Sequence, residues 1–158
     1  MSGARLLRST RRERLGLGVN VCVDVLEART GRRLSRERGH NLTVNAGLNL
    51  LRDFLANEAP GSLTHFAIGT DATAPASTDT QLVAELLRDQ LTARVKTDLA
   101  VTLSYYLAAN QGNGNTLREA GLFTAANTLF ARYVLSSPIT KTGSIAVRWT
   151  WQLTLSVA

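Results

Sequence analysis

The chain has 158 residues, 44% of them hydrophobic, and a formal net charge of +6. This length is enough for one domain with its own core. No apolar run approaches the roughly 20 residues that cross a bilayer, so we expect no membrane partner, and the basic N-terminus lacks the apolar segment of a secretory signal. Cys22, the single cysteine, cannot form an intrachain disulfide and is expected to be a small buried side chain.

The positive charge is concentrated at the N-terminus. Residues 1–40 contain ten arginines against four acidic side chains, whereas residues 41–158 contain eight basic and eight acidic ones. We therefore divide the chain into a basic arm, residues 1–15, and one β-sandwich domain, residues 16–158. Such an arm is a solvated tail, a segment that docks on an acidic partner surface, or a contact for nucleic acid. Its candidate docking residues are Arg5, Arg8, Arg11, Arg12 and Arg14.

The first predicted elements form a charged β-hairpin. Residues 19–26 alternate valine with mostly polar side chains, which predicts a strand with one buried face. Residues 29–32 form a turn in which Gly31 supplies backbone freedom, and residues 33–38 return as a polar second strand. We place this hairpin at a sheet edge, where charge discourages pairing with other chains.

One α-helix is predicted at about residues 45–57. Asn45 can cap its first turn, and Pro60 and Gly61 follow its end. Gly47 indicates either close backbone packing or simple tolerance. Apolar side chains recur at helical spacing on one side, and a stripe of this kind usually packs into the core. The stripe consists of Leu48, Leu50, Leu51, Phe54 and Leu55.

The middle of the chain combines strands with loops. Residues 63–69 predict a short buried strand. A capping-box spacing followed by leucines predicts a short helix at about residues 79–88. Residues 93–107 alternate as one long strand, residues 116–124 give another strand, and a turn rich in Gly and Asn lies between them.

The end of the chain has the clearest pattern. Residues 144–157 alternate apolar and polar side chains over seven repeats, which predicts a long strand with one buried face. Residues 129–135 predict a shorter strand that precedes it in an antiparallel hairpin. We expect Trp151 in the core and Trp149, beside Arg148, nearer to a contact with another subunit. Together the elements predict a mainly β fold, an antiparallel, jelly-roll-like β-sandwich with an extended N-terminal arm.

The residue types that carry catalysis or bind metals give no recognisable arrangement. His40 and His65 are expected to be structural, and one cysteine with two histidines fits no zinc spacing. Glu119 stands between apolar residues and is expected to pair with Arg118 or Arg132, or to accept backbone N–H groups. No second carboxylate is placed beside it, so we expect no catalytic residue, metal site, cofactor or small-molecule substrate.

Seven short motifs follow one another in a recognisable order over residues 40–157. They are residues 41–53 (NLTVNAGLNLLRD), 64–70 (THFAIGT), 74–75 (AP), 78–82 (TDTQL), 118–123 (REAGLF), 130–132 (FAR) and 139–142 (ITKT). In this order the motifs resemble a group of small virion structural proteins of tailed bacteriophages, found among capsid decoration proteins and tail or baseplate components. The resemblance implies a β-sandwich that acts by assembly, without catalysis or a cofactor.

From this resemblance we predict a non-enzymatic virion protein, made in the host cytoplasm, that decorates the capsid as a small homo-oligomer, with a trimer favoured. The arm and the first hairpin would attach it to other capsid or tail proteins. One alternative is a tail, fibre-base or baseplate protein of the same fold. Another is a nucleic-acid-binding module that uses the arm. Residues 41–158 are neutral overall and show no basic-aromatic platform, so nucleic acid is not the expected partner.

Overall fold

A computed structural model describes residues 15–58 and 61–157 of the chain. In chain order the strands are β1 (Leu15–Glu27), β2 (Arg33–His40), β3 (Leu42–Thr43), β4 (Leu63–Gly69), β5 (Glu85–Gln90), β6 (Ala93–Lys96), β7 (Ala100–Leu107), β8 (Thr116–Thr124), β9 (Leu129–Thr140) and β10 (Ile145–Val157). Helix α1 (Asn45–Leu55) lies between β3 and β4. Sheet A has the strand order β2-β1-β10-β7-β6, and sheet B has the order β3-β9-β8-β4-β5.

The core lies between the two sheets. Alternate side chains of β1, β7 and β10 in sheet A pack against side chains of β4, β8 and β9 in sheet B. The period-2 patterns predicted the buried faces of β1, β7 and β10. At its centre the ring of Phe66 stacks on Tyr105, with 4.7 Å between centroids, and lies 5.4 Å from Trp149 and 6.4 Å from Trp151. The predicted antiparallel β-sandwich is therefore confirmed.

The prediction that Trp149 lies near a subunit contact is wrong. Trp149 and Trp151 are both 0% exposed in the single chain. Residues two apart on a strand project to the same side, so the two indoles share the inward face. The intervening Thr150 and the preceding Arg148 project outward, and Arg148 is exposed there. The charge that flanks Trp149 therefore belongs to the opposite face of the sheet.

Two predictions about the strands are also wrong: a β9–β10 hairpin and one long strand over residues 93–107. β9 and β10 do not form a hairpin, because β9 pairs with β8 and β3 in sheet B whereas β10 pairs with β1 and β7 in sheet A. β9 also continues through Pro138, which lies where the register between β8 and β9 shifts and where a missing N–H is tolerated. The predicted long strand over residues 93–107 is two strands, β6 and β7, folded back on each other at Asp98.

The predicted helix at residues 79–88 is absent, and the segment ends in strand β5 instead. The carboxylate of Asp79 accepts hydrogen bonds from the backbone of Ala76 and from Arg132, so it does not begin a helix. Leu82 is buried against the outer face of sheet B, and β5 pairs with β4. Here tertiary contacts override the local capping signal.

Helix α1 is present as predicted but begins differently and ends two residues earlier. Val44 occupies the N-cap position without a side-chain hydrogen bond, and Asn45 is the first helical residue. The helix packs closely on β9 at Gly47, where an added Cβ atom would lie 2.2 Å from the carbonyl oxygen of Phe130. Gly47 is thus required for close backbone packing, and Leu50 reaches the core from the same side.

Candidate functional site

The predicted charge pair of Glu119 and Arg132 is confirmed, and it lies on the outer face of sheet B. Both side chains are 0% exposed. Two nitrogens of the Arg132 guanidinium lie 2.9 Å from the same Glu119 carboxylate oxygen. A buried ion pair of this kind persists only when its remaining hydrogen-bonding groups are also satisfied.

A loop over residues 70–84 satisfies those groups. Arg132 donates to the carbonyl oxygen of Thr73 at 3.0 Å and to Asp79 Oδ2 at 3.0 Å. Glu119 accepts the backbone N–H groups of Val83 at 3.1 Å and Ala84 at 2.7 Å. Both predicted modes of Glu119, the arginine pair and the backbone acceptor, therefore occur together. Every partner belongs to this chain, so the arrangement fixes the loop on the sheet.

Lys141 is a second buried cation, and the sequence analysis did not identify it. Its side chain is 0% exposed, and Nζ donates to the carbonyl oxygens of Ala109 and Thr142, both at 3.0 Å, and to Asn113 Oδ1 at 2.9 Å. Burial lowers the pKa of Lys141. These bonds join the turn after β7 to the turn after β9. A lysine between two threonines gives no signal of burial in the sequence.

The first hairpin lies at an edge of sheet A, as predicted, and carries a row of exposed arginines. We call this row the arginine edge; it consists of Arg29, Arg32, Arg33, Arg36 and Arg38. Arg36 is held by Asp24 on β1, with two hydrogen bonds of 2.6 and 2.8 Å. The hydrogen bonds from Arg36 hold the pKa of Asp24 below its usual value.

Glu37 fixes the arginine edge to the other sheet. Its carboxylate accepts hydrogen bonds from Tyr133 Oη at 2.6 Å and from the backbone N–H groups of Ser136 at 2.8 Å and Ser137 at 3.1 Å. Burial alone would raise the pKa of Glu37, but these hydrogen bonds together hold it below its usual value. The arginines are consequently presented on a braced strand. The arginines predicted for the arm, residues 1–14, lie outside the described residues.

The apolar stripe of α1 is largely exposed, which contradicts its predicted place in the core. Only Gly47 is fully buried, because the helix packs mainly on β9. Leucines from the ends of β10 and of the β6–β7 turn lie beside the helix. We call this surface the apolar end; its exposed members are Leu48 (49%), Leu51 (37%), Phe54 (71%), Leu55 (78%), Leu99 (63%) and Leu155 (44%).

A groove of about 370 Å³ runs through the apolar end. Leu51 contributes to it from α1, and Leu17 and Leu153 contribute from β1 and β10. A second groove of about 380 Å³ shares Lys96 and Val101 with the first and extends toward β4. The first groove is lined mainly by aliphatic side chains, and the second combines Leu63, Val101 and Leu103 with polar and charged residues.

The outer face of sheet A carries a groove of about 580 Å³. Asn20, Arg38, His40 and Gln152 line it together with Cys22. The prediction that Cys22 is buried is therefore wrong, since the side chain projects outward between polar neighbours and is only partly covered.

Within the described residues, no group of three or more His, Cys, Asp or Glu side chains is placed to hold a metal ion. No helix in the described part of the chain is long and apolar enough to cross a membrane. His65 shares a hydrogen bond with Thr64 Oγ1 at 2.8 Å, and His40 is exposed at the end of β2.

Comparisons with protein-family models, curated proteins and solved structures gave no match.

Proposed function

We propose that this chain is a non-enzymatic structural protein of a tailed-bacteriophage virion and that it docks on the capsid as a decoration protein. The phage assignment derives from the sequence resemblance. The structural observation that supports docking is the arginine edge, because β2 presents exposed guanidinium groups while Asp24 and Glu37 hold the strand in place. A braced cationic row loses little conformational freedom when it meets an acidic protein surface.

The positions of the resembling motifs support a structural role for them. The 118–123 and 130–132 motifs supply Glu119 and Arg132, and the 78–82 motif supplies Asp79, all in one hydrogen-bonded network. The 139–142 motif supplies Lys141, which joins two turns. Each of these charged groups forms hydrogen bonds within the chain. The motifs therefore account for the scaffold, and attachment falls to surfaces outside the network.

The location in the virion is tested by quantitative mass spectrometry of whole virions, tail-less heads and isolated tails. A decoration protein is expected in hundreds of copies per head and in none of the isolated tails. Recovery from tails alone would support the tail or baseplate alternative. Absence from every fraction would contradict the proposal.

The docking surface is tested by reversing charge on the arginine edge. We expect an Arg29→Glu/Arg38→Glu variant to bind heads from which the protein has been removed more weakly and with a smaller dependence on salt, since exposed charges are screened over about 8 Å at physiological ionic strength. Arg33 and Arg36 are left intact because both lie within 4.0 Å of the buried carboxylate of Asp24. Arg94→Glu, at the opposite edge of sheet A on β6, is the matched control and should bind normally. Equal binding of all three proteins would remove β2 as the docking element.

A further inference from the structure

We propose that the apolar end is a self-association surface that takes a second copy of this chain. The inference deepens the proposed function, on which its expectation of a homo-oligomer rests. Four properties of the folded chain's surface support a second copy as the occupant: the continuity of the apolar side chains, their area, the charges around them, and their shape.

The exposed apolar side chains form one continuous surface. On α1, Leu51 lies three residues from Leu48 and Phe54 and four from Leu55, so all three are its neighbours on the helix surface. Leu51 also lines the groove next to Leu99 and Leu155. The patch thus continues from the helix onto the ends of the strands of sheet A. Scattered exposed leucines need no explanation, whereas a continuous patch marks an interaction site.

The area of the patch suits an interface between two folded chains. Burying one leucine completely removes roughly 100 Å² of apolar surface from water, and the six members are between 37% and 78% exposed. The patch therefore offers on the order of 400 Å² of apolar surface, at the level of the largest patch of a typical monomer. A stable interface covers about 800 Å² per partner, with an apolar centre and a polar rim. The apolar end supplies a centre of the right size.

The charges around the patch fit an identical partner. Arg52 and Asp53 on α1 form an ion pair of 2.5 Å, and Lys96 and Asp98 stand beside the groove. A rim that carries both signs can be matched by its own copy, because each charge can meet the opposite one after a rotation. The arginine edge is different, since a row of one sign repels an identical row.

The shape of the patch is also self-complementary. Phe54 and Leu55 protrude at the end of α1, and a groove of about 370 Å³ lies beside them. A cavity of about 150 Å³ is enough to hold benzene, so the groove has room for the ring of Phe54 from another copy. One patch therefore carries both a protrusion and a recess. A two-fold contact of this kind closes a dimer, and a rotated contact closes a ring such as the favoured trimer.

The test compares full-length variants by sedimentation velocity over a wide concentration range. We expect the wild-type chain to associate, and Leu55→Asp on α1 and Leu99→Asp on the β6–β7 turn each to weaken association by at least 100-fold. Leu34→Asp is the matched control, because Leu34 is 48% exposed on β2, away from the patch, and should associate like the wild type. Circular dichroism establishes that each variant is folded.

A wild-type chain that stays monomeric at every concentration would overturn the inference, as would association that survives both Leu55→Asp and Leu99→Asp. A Leu6→Asp/Leu7→Asp variant tests the N-terminal arm as the occupant. If that variant dissociates as Leu55→Asp does, the arm is the occupant of the apolar end and the inference is wrong. Association that depends on Leu55 in a protein absent from virions would contradict the proposed function alone. A monomeric protein present in virions would contradict this inference alone.

Discussion

The outer face of sheet B and the apolar end depart in opposite ways from the usual distribution of side chains. Under the loop of residues 70–84, Arg132 and Glu119 are fully buried, while at the apolar end Phe54 and Leu55 are 71% and 78% exposed. In the first region the chain supplies every partner that the buried charges need. In the second, no described residue covers the apolar surface. The comparison separates what the chain completes by itself from what it leaves for a partner.

The two regions should therefore respond differently to mutation. Removing one member of a buried charge network leaves the other charge without compensation, which lowers the stability of the single chain. Removing an exposed apolar side chain leaves nearly all contacts within the fold intact. It reduces the apolar area that the side chain would bury against a partner. The first kind of change should act on unfolding and the second on association.

The largest expected effect comes from breaking the buried network. Arg132→Met removes the guanidinium and leaves Glu119 buried without its cation, so we expect the free energy of unfolding to fall by about 3–5 kcal/mol. Urea denaturation measures the change. Arg118→Met is the control, because Arg118 lies on the same strand as Glu119 but is only partly buried. Its free energy of unfolding should fall by much less. Similar losses in both variants would indicate that the network around Arg132 contributes little.

A smaller loss is expected where α1 contacts sheet B. Gly47→Ala places a Cβ atom 2.2 Å from the carbonyl oxygen of Phe130, so the helix must move outward. Overpacking of this kind costs about 1–3 kcal/mol. Thermal unfolding measures the loss, and the difference between Asn49→Gly and Asn49→Ala, at an exposed position of the same helix, separates it from helix propensity. An unchanged melting temperature would mean that the helix can shift freely, and the geometry of the apolar end would then be poorly fixed.

Glu37 provides an intermediate case, a partly buried carboxylate that joins the two sheets. Glu37→Gln weakens its hydrogen bonds and should cost about 1 kcal/mol at neutral pH. Because the pKa of Glu37 is lower in the folded chain, its contribution is present above the unfolded value of about 4.3 and is lost as pH falls through the folded value. The stability difference between wild type and variant should therefore shrink in acid. A difference that stays constant down to pH 2 would show that the charge is not what holds β2.

The sequence predicted the elements whose periodicity is strong and failed where long-range contacts decide. The alternation of residues 144–157 identified β10 and its buried face, but the partner strands depend on sheet order, which no local pattern contains. The same alternation places Trp149 and Trp151 on one face, and the prediction for Trp149 failed because it followed the charge of Arg148 instead. The capping-box signal near Asp79 failed because Arg132, distant in sequence, takes the carboxylate. The stripe of α1 was recognised, yet a stripe that faces a core and one that faces a partner have the same period.

The smallest expected effect on stability distinguishes the two surfaces most directly. Leu48 on α1 and Leu34 on β2 are 49% and 48% exposed, so Leu48→Ser and Leu34→Ser should each change the free energy of unfolding of the monomer by no more than about 0.5 kcal/mol. A chain that associates in the folded state has a melting temperature that rises with protein concentration. Leu48→Ser should flatten this rise, because it removes apolar area from the proposed contact. Leu34→Ser should leave it unchanged, since Leu34 lies outside the apolar end. Differential scanning calorimetry at several concentrations measures both slopes, and a slope that Leu34→Ser flattens as much as Leu48→Ser would move the self-association surface away from α1.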